Sequence, residues 1–200
     1  MSGLLTAGLN PNDDKVYLYT SSFDLSKWGW LERGSVKDMM KFFCRNSMKS
    51  LKKGQRYTIA HEGGHNVHAI VSDKDYFAVF AFTDMDYPRR VAYKCLEDAL
   101  EAFQSGHGDK WKAKKDDKME LNAFNAVFEK YKVASKVDKL TLATMKVDET
   151  KAVLVDNMKT LLEREEKLDD MVQKSDDLSL KTKTFYKNAQ KMNSKCCTLI

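Results

Sequence analysis

The amino-acid sequence predicts an α+β domain, a five-stranded antiparallel sheet with flanking helices, followed by a long α-helical coiled-coil segment. Three observations carry this. All nine glycines and both prolines, Pro11 and Pro88, fall before position 109, so the last 92 residues hold no strong helix breaker. The first half alternates strand-like and helix-like periods. The second half carries one sustained apolar seam with steps of three and four. A chain of 200 residues with 42% hydrophobic and 32% charged residues is globular in class, its surplus charge suiting exposed helix better than a core.

Leu4 to Leu9 is a short apolar run, Asn10 to Asp14 is dense in turn residues, and Val16 to Tyr19 is aromatic and branched. The three predict a β-hairpin. Ser35 is placed as an N-cap with Asp38 in the first turn, and Val36, Met39, Met40, Phe43 and Met48 recur at helical spacing as far as Leu51. This predicts a first helix. Three further strands are expected at Gln55 to Ala60, His65 to Ser72 and Tyr76 to Thr83, divided by Gly63-Gly64 and by Asp73-Lys74-Asp75. Pro88 opens a second helix whose stripe of Val91, Leu96, Ala99, Leu100 and Phe103 ends near Gly106 and Gly108. Leu121, Phe124, Val127, Phe128 and Tyr131 form one more short amphipathic helix.

No aromatic residue occurs from Lys132 through Thr184, so that stretch cannot build a compact core by itself. Its seam runs through Leu140, Ala143, Val147, Thr150, Leu154, Asn157, Leu161, Arg164, Leu168, Met171, Ser175, Leu178, Thr182, Phe185, Ala189 and Met192, and eleven of these sixteen positions are apolar. As one helix it would be a rod of roughly 80 Å. Arg164 is the charged member. It is either a solvated charge at a seam defect or, in a four-helix bundle, a register-fixing group that donates hydrogen bonds to carbonyls on partner helices.

Cys44 and Cys95 stand alone and Cys196-Cys197 are adjacent, which is no disulfide framework and suits a reduced, cytosolic chain. No secretion signal is expected and no apolar run approaches the ~20 residues of a spanning helix, so membrane attachment should be covalent or peripheral. Cys197-Thr198-Leu199-Ile200 has the form of a prenylation signal, with Cys196 as a second thiol for acylation. Lys181, Lys183, Lys187, Lys191 and Lys195, with no acidic residue among them, favour anionic headgroups. The net charge of +5 is not gathered into aromatic-studded stripes, so no nucleic-acid partner is expected. His61-Glu62-Gly63-Gly64-His65 matches the zinc-hydrolase string, with His68 nearby. Zinc chemistry needs its two histidines one turn apart on a helix, whereas Gly-Gly among strand formers predicts a hairpin tip, so neither a metal nor a catalytic site is assigned.

Asp148-Glu149-Thr150-Lys151, Arg164, Glu166-Lys167-Leu168-Asp169 with Val172, Phe185-Tyr186-Lys187 and Cys196-Cys197 resemble, in order, the SNARE motif and tail of the longin-domain R-SNAREs, in particular the lipid-anchored, double-cysteine synaptobrevin homologues. Ser35-Val36, Phe42-Phe43, Gly54-Gln55-Arg56 and Asp86-Tyr87-Pro88 with Arg90, Ala92 and Tyr93 resemble the longin segments. The resemblance implies a non-enzymatic vesicle-fusion protein. Residues 1–131 would be a longin, profilin-like domain, 132–137 a linker, 138–195 the SNARE segment with a basic end, and 196–200 the lipidation signal. Arg164 would face three glutamines of three Q-SNARE helices in a four-helix bundle. Cys197 would carry an isoprenoid and Cys196 a palmitoyl or second prenyl chain, with no other cofactor. The protein would be cytoplasmic and peripheral, lipid-anchored on the cytosolic face of Golgi, vesicle and endosomal-type membranes. The longin domain would fold back on its own SNARE segment and shelter the lipid. Phe42 is the expected contact, lying about 100° round from core-facing Phe43 and so on the outer face unless a loop buries it. The runner-up reading is a lipid-anchored coiled-coil adaptor that tethers without fusing.

Overall fold

A computed structural model describes residues 1–61, 64–113, 119, 121–134, 137, 152–162, 167–176 and 178–196. β1 (Gly3–Asn10) and β2 (Lys15–Phe23) form the first hairpin. Its turn is built by Asn10, whose Oδ1 accepts the Asn12 amide at 2.9 Å, and by Asp14 at φ 54°, a left-handed conformation that Asp tolerates better than most residues. α1 (Arg33–Ser47) follows and tightens into a 3-10 turn at Met48–Ser50. β3 (Arg56–His61), β4 (His65–Val71) and β5 (Phe77–Asp84) complete an antiparallel set. Gly54 precedes β3 at φ +70°, where a Cβ would collide with the Asp73 carboxylate.

The sheet order is β2-β1-β5-β4-β3-β6. The sixth strand, β6 (Ala152–Val155), comes from the C-terminal half and runs parallel to β3, so the sheet has one strand more than the sequence predicts. β5 is central and buried on both faces. Phe77, Val79 and Ala81 point into a core capped by α2 (Arg89–His107) and α3 (Asn122–Tyr131), whereas Ala78, Phe80 and Phe82 point into a core beneath α1. The period of two in a strand assigns these alternate residues to opposite layers. Pro88 stands at the N-cap of α2, as its fixed φ and missing N–H favour.

Two expectations need correction. Ser35 is not the N-cap of α1, because the cap is Glu32 and Ser35 lies within the helix, 2% exposed; its hydroxyl is turned toward the C-terminal segment. The seam does not run as one unbroken rod. After β6 come α4 (Met158–Leu162), α5 (Leu168–Lys174) and α6 (Leu180–Cys196). An isolated amphipathic helix has no partner for its apolar stripe; here the stripe finds one in the N-terminal domain.

Candidate functional site

The C-terminal segment packs along the outer side of α1 and the β3 edge of the sheet. β3 offers a row of backbone donors and acceptors at a sheet edge, and Ala152-Val153-Leu154-Val155 satisfies them in the register Arg56↔Ala152 to Ile59↔Val155. Its valines suit a pleated surface. Asn157 Oδ1 then accepts the Lys159 amide at 2.7 Å, turning the chain into α4. Leu161 and Leu162, 2% and 7% exposed, enter the core beneath α1, and Leu161 O accepts the Ser50 hydroxyl at 3.1 Å.

α5 begins at Leu168 with Asp169 and Asp170 in its first turn, favourable toward the helix macrodipole. Its Val172, fully buried, meets Phe42 and Leu178 in a small separate cluster, with Met39, Leu168, Met171 and Tyr186 around it. Phe42 is thereby 4% exposed. Phe43 points the other way, edge-on to Phe80 and Phe82 at 6.4 and 6.0 Å. The two rings enter different clusters on either side of α1, and what covers Phe42 is the C-terminal segment.

α6 is fastened by polar contacts. Ser179 Oγ accepts the Thr182 amide at 3.1 Å, a side-chain cap on the first turn. Thr182 is 1% exposed and its Oγ1 donates to Asp38 Oδ2 at 2.9 Å, with Ser35 Oγ 3.5 Å away. Tyr186 Oη and Gln190 Nε2 donate to Asp169 Oδ1 at 2.8 and 2.7 Å, tying α6 to α5. These two bonds hold the Asp169 carboxyl below its ordinary range, the Tyr186 bond contributing most.

Between α1, the sheet and the segment lies an apolar cavity of about 240 Å³. Val36, Met40 and Phe43 line it from the domain, and Met158, Leu168 and Phe185 from the segment. Tyr186 and Ala189 of α6 share it with Trp28 and with His61 and His65 of the β3–β4 hairpin. His61 and His65 are cross-strand partners at the ends of β3 and β4, with Gly64 at φ +76° before β4, so the two histidines of the zinc-like string lie on paired strands and not on one helix. His68 is buried on β4 with Nδ1 3.0 Å from Thr58 Oγ1.

Of the predicted seam, Leu161 and Leu178 are buried, while Leu168, Met171 and Phe185 are half-buried against the α1 side. Leu154 on β6 is 60% exposed and Ala189 is exposed at the cavity rim. Leu140, Ala143, Val147, Arg164 and Cys197 lie outside the described residues. Met192 and Cys196 belong to the last turns of α6. The seam reading omitted Leu162, and Val172 entered only as part of a motif, although both stand beside seam residues and widen the stripe. Thr182 was legible only as a polar seam position. No helix among the described residues is long and apolar enough to cross a membrane.

A longin family model, described as a regulated-SNARE-like domain, matches residues 25–128, and a synaptobrevin model matches residues 139–199. The chain is 32% identical over 201 residues to the VAMP-like protein YKT61 of Arabidopsis thaliana, covering 100% of this chain and 99% of that one. It is 34% identical over 192 residues to the synaptobrevin homolog YKT6 of Candida glabrata, covering 94% and 92%. With the putative synaptobrevin homolog YKT6 of Dictyostelium discoideum it shares 32% identity over 186 residues, covering 92% of each chain.

Proposed function

Because the chain belongs to the longin-domain R-SNAREs, a non-enzymatic class that acts in vesicle transport by joining other SNAREs in a helical bundle, we propose that it docks and fuses vesicles in ER–Golgi and Golgi–endosome–vacuole traffic and is held inactive by its own longin domain. In the active form three Q-SNARE helices complete a four-helix bundle with residues 138–195. Arg164 faces three glutamines and fixes the register. Cys197 carries an isoprenoid and Cys196 a palmitoyl or second prenyl chain, and these anchor the protein on the cytosolic face of Golgi, vesicle and endosomal-type membranes. In the closed form the apolar cavity at α6 takes the isoprenoid.

One observation carries this reading. Leu161, Leu168, Met171, Leu178 and Phe185 lie against α1 and the sheet, and a side chain packed there cannot at the same time pack between Q-SNARE helices. Closing and bundle formation therefore compete for one apolar stripe, so whatever stabilises one disfavours the other. The cavity fits an isoprenoid in chemistry, since its lining is mainly aliphatic, aromatic and thioether. It fits in reach as well, because Cys196 follows Ala189 by seven residues, roughly 10 Å of helix.

The test is reconstitution of the full lipidated chain on vesicles with three Q-SNARE helices on a second set. An SDS-resistant four-part complex together with lipid mixing is expected. Assembly without lipid mixing would instead make the protein a tether. Arg164→Leu should still assemble but accept wrong partners, because desolvating the guanidinium offsets much of its hydrogen bonding. Complete loss of assembly would refute the register role.

A further inference from the structure

Among the described residues, Trp30 and Leu31 in the β2–α1 loop and Met85 after β5 are 77%, 58% and 66% exposed. All three stand at one end of the sheet. Lys27 of the loop binds Asp84 at 2.6 Å, the Met85 amide donates to Gly64 O at 3.2 Å in the β3–β4 turn, and Trp28 lies against His65 with ring centroids 5.8 Å apart. The loop, the end of β5 and the β3–β4 hairpin are therefore one connected rim. α6 runs toward the same rim. From Thr182, held at Ser35 and Asp38, it reaches Ala189 in the cavity that Trp28, His61 and His65 also line, and it ends at Cys196.

We propose that the rim bearing Trp30, Leu31 and Met85 is a second bilayer contact, inserted at the headgroup level beside the point where the Cys196 chain enters while the isoprenoid lies in the cavity. The proposal rests on the reading of Cys196 and Cys197 as lipid sites. The loop is shaped to present its apolar side chains. Glu32 Oε2 accepts the Gly29 amide at 3.2 Å, and Arg33 donates to the Trp28 and Ser26 carbonyls at 3.1 and 3.4 Å, so these three backbone groups are engaged and need not be newly desolvated on insertion. Two acidic groups beside the loop are also occupied. Asp24 holds Ser26 and Asp84 holds Lys27. Trp30, Leu31 and Met85 offer the membrane an indole, a branched aliphatic and a thioether, the side chains suited to the interface between headgroups and acyl chains. Because the three side chains are uncharged, the contact they make does not require anionic lipid, which separates it from the lysine tract of α6.

Cys44 and Cys95 are buried, so a maleimide-headgroup lipid couples the full chain to vesicles through Cys196 and Cys197 alone. On vesicles of brominated phosphatidylcholine a tethered Trp28→Phe protein should lose tryptophan fluorescence, and adding Trp30→Phe should remove most of that loss, Trp111 being buried. In a Cys196→Ser/Cys197→Ser background, Trp30→Ser/Leu31→Ser should weaken binding to neutral phosphatidylcholine vesicles about tenfold, the order expected for partly burying two large apolar side chains. Leu180→Ser, 82% exposed at the other end of α6, should leave binding unchanged. The proposal is overturned by absence of quenching in the tethered Trp28→Phe protein, by equal quenching once Trp30→Phe is added, or by binding that depends on phosphatidylserine and ignores Trp30. Bundle assembly with Q-SNARE helices in solution needs no vesicle and reports separately on the reading beneath it.

Discussion

Replacing Phe42 should open the molecule without unfolding its N-terminal domain. The ring is 4% exposed and its partners Val172 and Leu178 belong to the C-terminal segment, so opening returns it to water. Phe42→Ala forfeits most of the gain from burying the ring, about 2–3 kcal/mol of closing free energy. At 1.4 kcal/mol per decade, the closed-to-open ratio falls by roughly 30- to 150-fold. Phe42→Glu goes further, because a carboxylate against Val172 has no partner in that cluster and escapes by lifting the segment away. Hydrogen exchange of the amides in α4, α5 and α6 measures the shift directly, since their protection reports the closing equilibrium. The five antiparallel strands should keep theirs. Phe43→Ala is the contrasting variant, with the ring against Phe80 and Phe82, and should destabilise the domain itself by about 3–5 kcal/mol. Unchanged exchange in α4 to α6 of a folded Phe42→Glu protein would refute the assignment of this contact as the closing one.

Thr182→Val should loosen α6 by about 1 kcal/mol, because it keeps the shape of the side chain but strips the half-buried Asp38 carboxylate of its hydroxyl donor; faster proteolysis within 180–196 is the readout. His68 gives a pH dependence. Burial, with the Arg89 charge assisting, lowers its pKa from 6.5 to about 4, so the unfolded chain takes up a proton that the folded one refuses. Stability should fall as pH drops from about 6.5 to about 4, by ~3 kcal/mol in all. His68→Gln should flatten that part of a thermal-melt series. Membrane residence in cells should vanish in Cys197→Ser and become weak and exchanging in Cys196→Ser, since one short chain gives only reversible attachment; fractionation and photobleaching recovery distinguish the three forms.

The strands of the N-terminal domain and its three helices were legible because their signals are local. Gly-Gly, Asn-Pro-Asn and Asp-Lys-Asp mark turns, period-two runs mark strands, and Pro88 marks a helix start. Ser35 misled for a physical reason. An N-cap signature depends on a serine standing before an apolar run, and nothing local reveals that its hydroxyl is taken by a threonine 147 residues away. Phe42 and Phe43 were separable by helical geometry alone, whereas the identity of the cover over Phe42 was not.

By itself the sequence determined which residues of 138–195 are apolar, at what period, and therefore that the stretch must bury a stripe against something. Only the tertiary structure decided against what. A heptad seam is satisfied by partner helices or by any complementary apolar surface, and Ala152-Val153-Leu154-Val155 is sticky enough for a helix seam yet branched enough for a strand. The free edge of β3 and the outer face of α1 tip that balance, because backbone hydrogen bonds at the edge and burial of Val172, Leu178 and Phe42 together are available only once the sheet has formed. Periodicity records the face a segment must hide, and the choice of hiding place is a long-range property of the folded chain.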